Sequence, residues 1–220
     1  MEWPLLASLS PEHRSQLIDS ARPRVFAREE VVFHEGDPAD DVHLIGSGRL
    51  AVRVSTPGGE VVTLNILTPG DYFGELSLLR DKAARRRTAT LVALEPTSTL
   101  SLSAAAFHAV CDRHPKVERL VVSLLAERVE ELSQRLLEAL YVGVDRRVYR
   151  RLLDLAEIYG GDAQRTMIPL RQDHLADLAG ATRPTVNQVL QRLAAQGVVA
   201  LHRGRIEVLD MDALRRRAGL

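Results

Sequence analysis

Between Pro23 and Leu102, apolar and polar positions alternate in short β-branched runs separated by turn residues: RVFAREEVVFHEGD, VHLIGSGRLAVRVS, VVTLNIL, DYFGELSLL, TATLVAL and STLSLS. A period of two turns one face of each run toward a core, and runs this short and closely spaced predict an antiparallel roll or barrel. Glycines at 36, 48, 58, 59, 70 and 74 fall where turns or close backbone approaches are needed. They punctuate strands and do not form the turn of a nucleotide-binding βαβ unit. Ahead of the roll, Ser10-Pro11-Glu12 predicts a short helix with a hydroxyl N-cap and a proline in its first turn, followed by apolar Leu17 and Ile18.

From Pro115 to about Val142 the period changes to that of a helix, with no glycine until Gly143. Val122, Leu125, Val129, Leu132, Leu136 and Ala139 recur at steps of three and four, the spacing of a coiled-coil seam, and such a seam calls for a second copy of the chain. An ordinary buried helix is the alternative. Val117, Leu120, Val121 and Leu124 form a second patch that we assign to packing on the roll. Three helical segments follow, Arg146–Tyr159, Gln172–Leu178 and Arg183–Gln196. Then comes GVVALHRGRIEVLD, a hairpin with Arg203-Gly204 at its tip. The turn Ala179-Gly180-Ala181-Thr182 supplies a glycine for reversal and a threonine cap, and Leu175, Leu178, Val186, Leu190 and Leu193 supply a core. Helix, glycine turn, capped helix and hairpin make a winged helix-turn-helix. The predicted fold is α+β: a roll over 1–114, a dimerisation helix and hinge over 115–143, and a winged helix-turn-helix over 144–220.

Composition adds a division of charge. The 220 residues carry no net charge, but residues 1–143 hold 16 Lys+Arg against 20 Asp+Glu, and residues 144–220 hold 13 against 9. A basic C-terminal part suits nucleic acid. One cysteine, Cys111, excludes an internal disulfide and a multi-thiolate cluster. The seven histidines show no paired spacing, so no metal site is expected, and most read as surface or capping residues. Glu35, Asp37, Asp40 and Asp41 form an acidic turn without calcium-loop spacing, read as solvated. No apolar run approaches the ~18 residues of a membrane span and the N-terminus lacks a secretory pattern, so a cytoplasmic protein is expected.

The chemistry concentrates in GDYFGELSLL, Gly70 to Leu79, and RRRTATLVAL, Arg85 to Leu94. A guanidinium forks onto two phosphate oxygens, and a sugar hydroxyl needs an acceptor such as a carboxylate. Asp71 and Glu75 as the acid/base pair of an enzyme lack a nucleophile, a metal set or a partner base, so no enzyme is expected. With His114-Pro115 and GATRPTVNQVLQRLAAQGVV, Gly180 to Val199, these motifs make nearly the whole chain resemble the cyclic-AMP receptor protein and fumarate–nitrate regulator (Crp/Fnr) family of bacterial transcription factors.

That resemblance implies a cyclic-nucleotide-binding roll. Gly74, Glu75 and Leu76 would meet the sugar and phosphate, Glu75 would accept from the ribose 2′-hydroxyl, and Arg87 with Thr88 would hold the cyclic phosphate of cyclic AMP or a relative. Arg87 is chosen because Ala89-Thr90-Leu91-Val92-Ala93 aligns behind it, with Arg85 the alternative in a loop longer than the family's. Leu132 and Ser133 stand where a threonine and a serine of the dimer helix read adenine, which leaves cyclic AMP, another nucleotide or no ligand open. A pocket without nucleotide control, with constitutive DNA binding, is the second reading. On the DNA side, Arg183 would read guanine, and Asn187 and Gln188 could read adenine. Gln172, Thr182, Thr185 and His202 would hold phosphates. Pro184 and Gln188 replace a glutamate and an arginine common in the family, which predicts a different half-site. The implied partners are a second copy of the chain, a pseudo-palindromic double-stranded operator and RNA polymerase.

Overall fold

The alternating runs fold into two four-stranded sheets. The structure, a computed structural model, describes residues 3–7, 9–78, 85–161 and 163–219. Leu79, which ends the first motif, and Lys82 in the loop before Arg85 lie outside the described residues. The chain separates into two compact units, Met1–Val129 and Glu130–Leu220.

In the first unit, helix α1 (Pro11–Ser20) starts where predicted, with Ser10 Oγ accepting from the His13 amide. Strands β1 (Arg22–Phe26), β8 (Thr97–Ser103), β3 (Asp41–Ser47) and β6 (Tyr72–Phe73) pair in that order. Strands β2 (Val31–Phe33), β7 (Thr90–Ala93), β4 (Leu50–Ser55) and β5 (Val61–Leu67) form the second sheet. All pairings are antiparallel. Ile45, Leu50, Phe73, Leu91 and Ala93 close a core inside the roll. The run DYFGELSLL, expected as strand, is strand only at Tyr72–Phe73; a short helix α2 (Glu75–Leu78) follows, because Gly74 at positive φ turns the backbone out of the sheet.

Helix α3 (Ala104–Arg113), not predicted, begins at Ser103, whose Oγ accepts from the Ala106 amide. Helix α4 (Pro115–Tyr141) then runs for 27 residues. Val117 and Val121 join Leu17, Val42, Leu102 and Phe107 in a second core, with Leu124 and Leu125 packed on its edge. Leu125, assigned to the seam, thus also packs on the roll and is only partly buried there. Val122, Val129, Leu132 and Leu136 remain 52–62% exposed in the single chain.

Two polar expectations need correcting. His43 is buried, not at the surface: its ring stacks on Phe73 with centroids 4.8 Å apart, and its nitrogens bond Thr99 and Asp41. Asp41 is not a solvated turn residue, since its carboxylate is bonded by His43, Ser101 and Arg87. His174 is buried as well.

The second unit holds α5 (Val144–Gly160), β9 (Thr166–Ile168), α6 (Gln172–Ala179), α7 (Arg183–Ala195), β10 (Val199–His202), β11 (Arg205–Val208) and α8 (Met211–Ala218). Beyond the three predicted helices and hairpin, β9 adds a third strand to the wing, and α8 closes the core with Met211 and Leu214. Gly180 takes φ 58° and ψ 48°, a left-handed conformation that glycine reaches without a Cβ penalty. The Gly180 and Ala181 amides then bond back to Asp177 and Ala176, which ends α6 sharply. Thr182 caps α7 by accepting from the Thr185 amide. Val148, Leu152, Leu175, Val186, Leu190 and Leu193 are buried together with Ile206; Leu178, predicted for this core, is only partly buried. Among the described residues, no helix is long and apolar enough to cross a membrane, and no cluster of His, Cys, Asp and Glu is arranged to hold a metal.

Candidate functional site

The first unit contains a cavity of about 270 Å³ between β4–β7 of the roll and α4, just below the ~300–1,000 Å³ range of small-molecule sites. Gly74, Glu75, Leu76, Arg87 and Thr88 all line it. Arg85 and Arg86 do not: Arg85 pairs with His108 at 2.8 Å, and Arg86 reaches the Gly36 carbonyl. Of these three arginines, Arg87 is the one that lines the cavity.

Arg87 arrives from the loop before β7 and is 5% exposed. Its Nη1 donates to the Asp41 carbonyl at 2.9 Å, its Nη2 donates to the Asp41 carboxylate, and it lies 4.1 Å over the ring of Phe33. Among the described residues its buried Nε has no hydrogen-bond partner. A buried cationic donor left unsatisfied costs ~1–3 kcal/mol or more, and the side chain that carries it lines the cavity. Gly74 fits the same demand. At φ 93° it sits where an added Cβ would lie 2.5 Å from Arg87 Nη1 and 2.8 Å from the Asp41 carbonyl oxygen, so only glycine leaves room for the guanidinium.

Glu75 begins α2 beside the cavity. Burial pushes its carboxyl above the usual range; its own amide and that of Leu76, with the charges of Arg128 and Arg87, offset part of this. Burial likewise pushes the Tyr72 phenol up, reinforced by the Glu75 and Asp71 carboxylates, so Tyr72 stays a hydroxyl donor. Asp41 runs the other way. Burial alone would raise it, but hydrogen bonds from His43 and Ser101 and the charges of His43 and Arg87 hold it well below the usual carboxylate range.

From α4 the cavity receives Leu124, Leu125 and Arg128. Sequence reasoning missed Arg128, Tyr72, Phe33 and Asn65. Arg128 stands four residues before Leu132 on the helix proposed to read the base, the one local signal that could have found it. Leu132 and Ser133 lie further along α4 within the second unit, and both are exposed.

In the second unit, a groove of about 510 Å³ is bordered by Gln172 and Asp173 at the start of α6, Arg183 at the start of α7, and His202, Arg203 and Arg205 on the wing. Arg183 is 70% exposed along its side chain and is steered by Asp173, Nε to Oδ1 3.2 Å. His202 is held by Glu207 at 3.1 Å, and Asn187 and Gln188 project outward one turn along α7. Thr182 and Thr185 bond each other through their hydroxyls at 2.9 Å. Arg171, Arg203 and Arg205 add positive charge that sequence reasoning did not assign. Such a surface offers guanidiniums for phosphates and an exposed helix N-terminus for base edges.

The hinge before this unit is clamped by Arg147. Its guanidinium donates to Val142 O at 2.9 Å and Ala139 O at 3.3 Å, and also to Ala179 O and Gly180 O, both at 3.0 Å. The last turn of α4 and the helix-turn-helix reversal thus share one cation, placed at two helix C-termini where the backbone dipoles favour it. Glu138 extends the clamp by bonding Arg150 and Arg151, each at 2.6 Å; although burial pushes its carboxyl up, these arginines hold it below its ordinary value.

Residues 23–114 match the cyclic nucleotide-binding domain, and residues 146–217 match the Crp-like helix-turn-helix domain. The chain is 30% identical over 217 residues to the CRP-like cAMP-activated global transcriptional regulator of Mycobacterium tuberculosis, covering 97% of this chain and 96% of that protein. It is 33% identical over 211 residues to the cyclic AMP receptor protein of Thermus thermophilus, covering 96% and 94%. Among solved structures, the Thermus thermophilus catabolite activator protein matches over 98% of both chains at 33% identity with a TM-score of 0.56. A CRP-family transcriptional regulator, also from Thermus thermophilus, matches 90% of this chain and 97% of its own at 26% identity with a TM-score of 0.75. The chain therefore belongs to the Crp/Fnr family of DNA-binding transcription regulators, not to an enzyme family.

Proposed function

We propose that the protein is a homodimeric, cytoplasmic regulator in which a cyclic nucleotide in the roll cavity controls binding to a pseudo-palindromic operator. The observation that carries the ligand reading is the buried Nε of Arg87, without a hydrogen-bond partner among the described residues, on a side chain that lines one cavity with Gly74, Glu75 and Thr88. Arg87 holds the cyclic phosphate through that free Nε side of its guanidinium, Thr88 donates its hydroxyl beside it, and Glu75 accepts from the ribose 2′-hydroxyl. Cyclic AMP is the first candidate, because the relatives described above are named for it.

Dimerisation is supported by the exposed apolar stripe Val122, Val129, Leu132 and Leu136, which a second α4 would cover. On DNA, two-fold related α7 helices enter successive major grooves ~34 Å apart. Arg183 reads guanine, Asn187 or Gln188 reads adenine, and Gln172, Thr182, Thr185 and His202 hold phosphates. Calorimetric titration with cyclic AMP and cyclic GMP tests the ligand reading. Wild type is expected to bind one of them, Arg87→Ala neither, and Arg85→Ala nearly as wild type; a binding-competent Arg87→Ala, or a wild type that binds neither, overturns it.

A further inference from the structure

We propose that Asp41 makes the cavity selective for singly charged cyclic phosphodiesters over doubly charged phosphomonoesters, by remaining bonded to Arg87 as a built-in counter-ion when ligand is present. This rests on the cyclic-nucleotide reading above and adds to it a residue from outside the sequence motif. A guanidinium has five N–H donors. Here Nη1 and Nη2 each spend one on Asp41, one to its carbonyl and one to its carboxylate, while Nε has no partner among the described residues. The guanidinium is divided: one edge is taken by the protein and another is left over. A ligand phosphate adds to the Asp41 contact and need not displace it.

Asp41 is also fixed from behind. Its carboxylate accepts from Ser101 Oγ at 2.7 Å and is bonded by His43 Nε2 at 3.1 Å, and His43 is itself held by Thr99 at 2.9 Å and by its stack on Phe73. Turning Asp41 away from Arg87 would break bonds on three side chains. With Asp41 in place, Arg87 already faces one carboxylate of its own, and the cavity lining adds the carboxylates of Asp71 and Glu75 to the guanidinium of Arg128. A guanidinium half-neutralised by a fixed counter-ion holds one ligand charge and gains less from a second. A cyclic phosphate carries a single charge, whereas a phosphomonoester carries about −1.5 to −2 at neutral pH.

The test is calorimetry on the full chain with cyclic AMP, 5′-AMP and the 5′-AMP methyl ester, which is singly charged but has no phosphate ring. Wild type is expected to bind the methyl ester at least roughly tenfold more tightly than 5′-AMP, the scale of one unit charge acting at ~6 Å through a partly screened interior. Asp41→Asn, which removes the charge and keeps the shape, should narrow the preference for cyclic AMP over 5′-AMP by a similar factor. Asp41→Glu, which keeps the charge, should leave that preference within about threefold of wild type. The methyl ester comparison needs no variant, so selection by charge is tested even if Asp41→Asn folds poorly, and Asp41→Glu then tests the residue. A methyl ester that binds as weakly as 5′-AMP overturns the proposal, because the ring and not the charge is then selected. So does an Asp41→Glu protein as unselective as Asp41→Asn, or a folded Asp41→Asn that loses cyclic AMP. If wild type binds none of the three, the cyclic-nucleotide reading falls and this inference with it; tight cyclic AMP binding with unchanged selectivity in Asp41→Asn removes this inference alone.

Discussion

Truncating Arg147 to alanine removes four hydrogen bonds from one guanidinium, three of them between 2.9 and 3.0 Å. The acceptors are carbonyls at the ends of α4 and α6, and such C-terminal carbonyls lack helical partners of their own. Hydrogen bonds from a charged donor contribute ~1.5–3 kcal/mol each when well buried, but this side chain is only partly buried. A discounted loss for the set is ~2–4 kcal/mol. Opening of the α6–α7 reversal should therefore become roughly 30- to 1,000-fold more frequent, at ~1.4 kcal/mol per decade. Hydrogen exchange followed by mass spectrometry reads this directly at the amides of α6 and the following turn. The control is built in, because the single tryptophan, Trp3, is buried in the first unit with its indole N–H donated to Ile45 O at 2.9 Å. Its fluorescence transition should not move. Arg147→Lys keeps the charge at the helix termini but loses the fork, and should recover only ~0.3–1 kcal/mol per helix end. Unchanged exchange in Arg147→Ala, or full protection in Arg147→Lys, would refute this view of the hinge.

Three further outcomes follow from the same geometry. Leu132→Asp places a charge in the exposed stripe of α4 and should shift the protein from dimer to monomer in sedimentation at micromolar concentration; a wild type that sediments as a monomer contradicts the seam. Arg183→Ala should cost ~1–3 kcal/mol per half-site on a selected operator and much less on random DNA, whereas His202→Ala should weaken both alike; competition binding distinguishes the two. Glu75→Gln should stabilise the ligand-free first unit above the ordinary carboxylate range while weakening nucleotide binding. The sign follows from burial: the folded state raises the Glu75 pKa, so ionised Glu75 costs stability once pH exceeds its unfolded value near 4.5. Denaturant titrations of Trp3 fluorescence at pH 4 and pH 8 should show the gain only at the higher pH.

How far the sequence could be read depended on whether each signal was local. The Ser10 and Thr182 caps and the Gly180 reversal are decided within a few residues and appear where predicted, as do the strand runs apart from DYFGELSLL, which turns into helix after Phe73. Helices α3 and α8 also carried local signals, Ser103 and Asp210 as caps and Gly219 as a left-handed end, but both are short, and of α3 only Phe107 is buried. Strand β9 has three residues, too few for a period to show. The cavity was half legible. Gly74, Glu75 and Arg87 sit in motifs, but Asp41 reaches Arg87 across 46 positions and reads locally as one more acid in a solvated turn. Leu125 satisfies a heptad and a globular face equally well; only the packing of α4 against the roll shows that it serves the second.

The most direct test of ligand control is operator binding by fluorescence anisotropy, with and without saturating cyclic AMP, for wild type and Arg87→Ala. A ligand shifts DNA affinity only through its unequal affinity for the two states of the protein. Wild type should change operator affinity about 5- to 150-fold on adding nucleotide, and Arg87→Ala should keep its ligand-free affinity throughout. Wild-type affinity that is identical with and without nucleotide would contradict control through this cavity and leave a regulator that binds DNA constitutively.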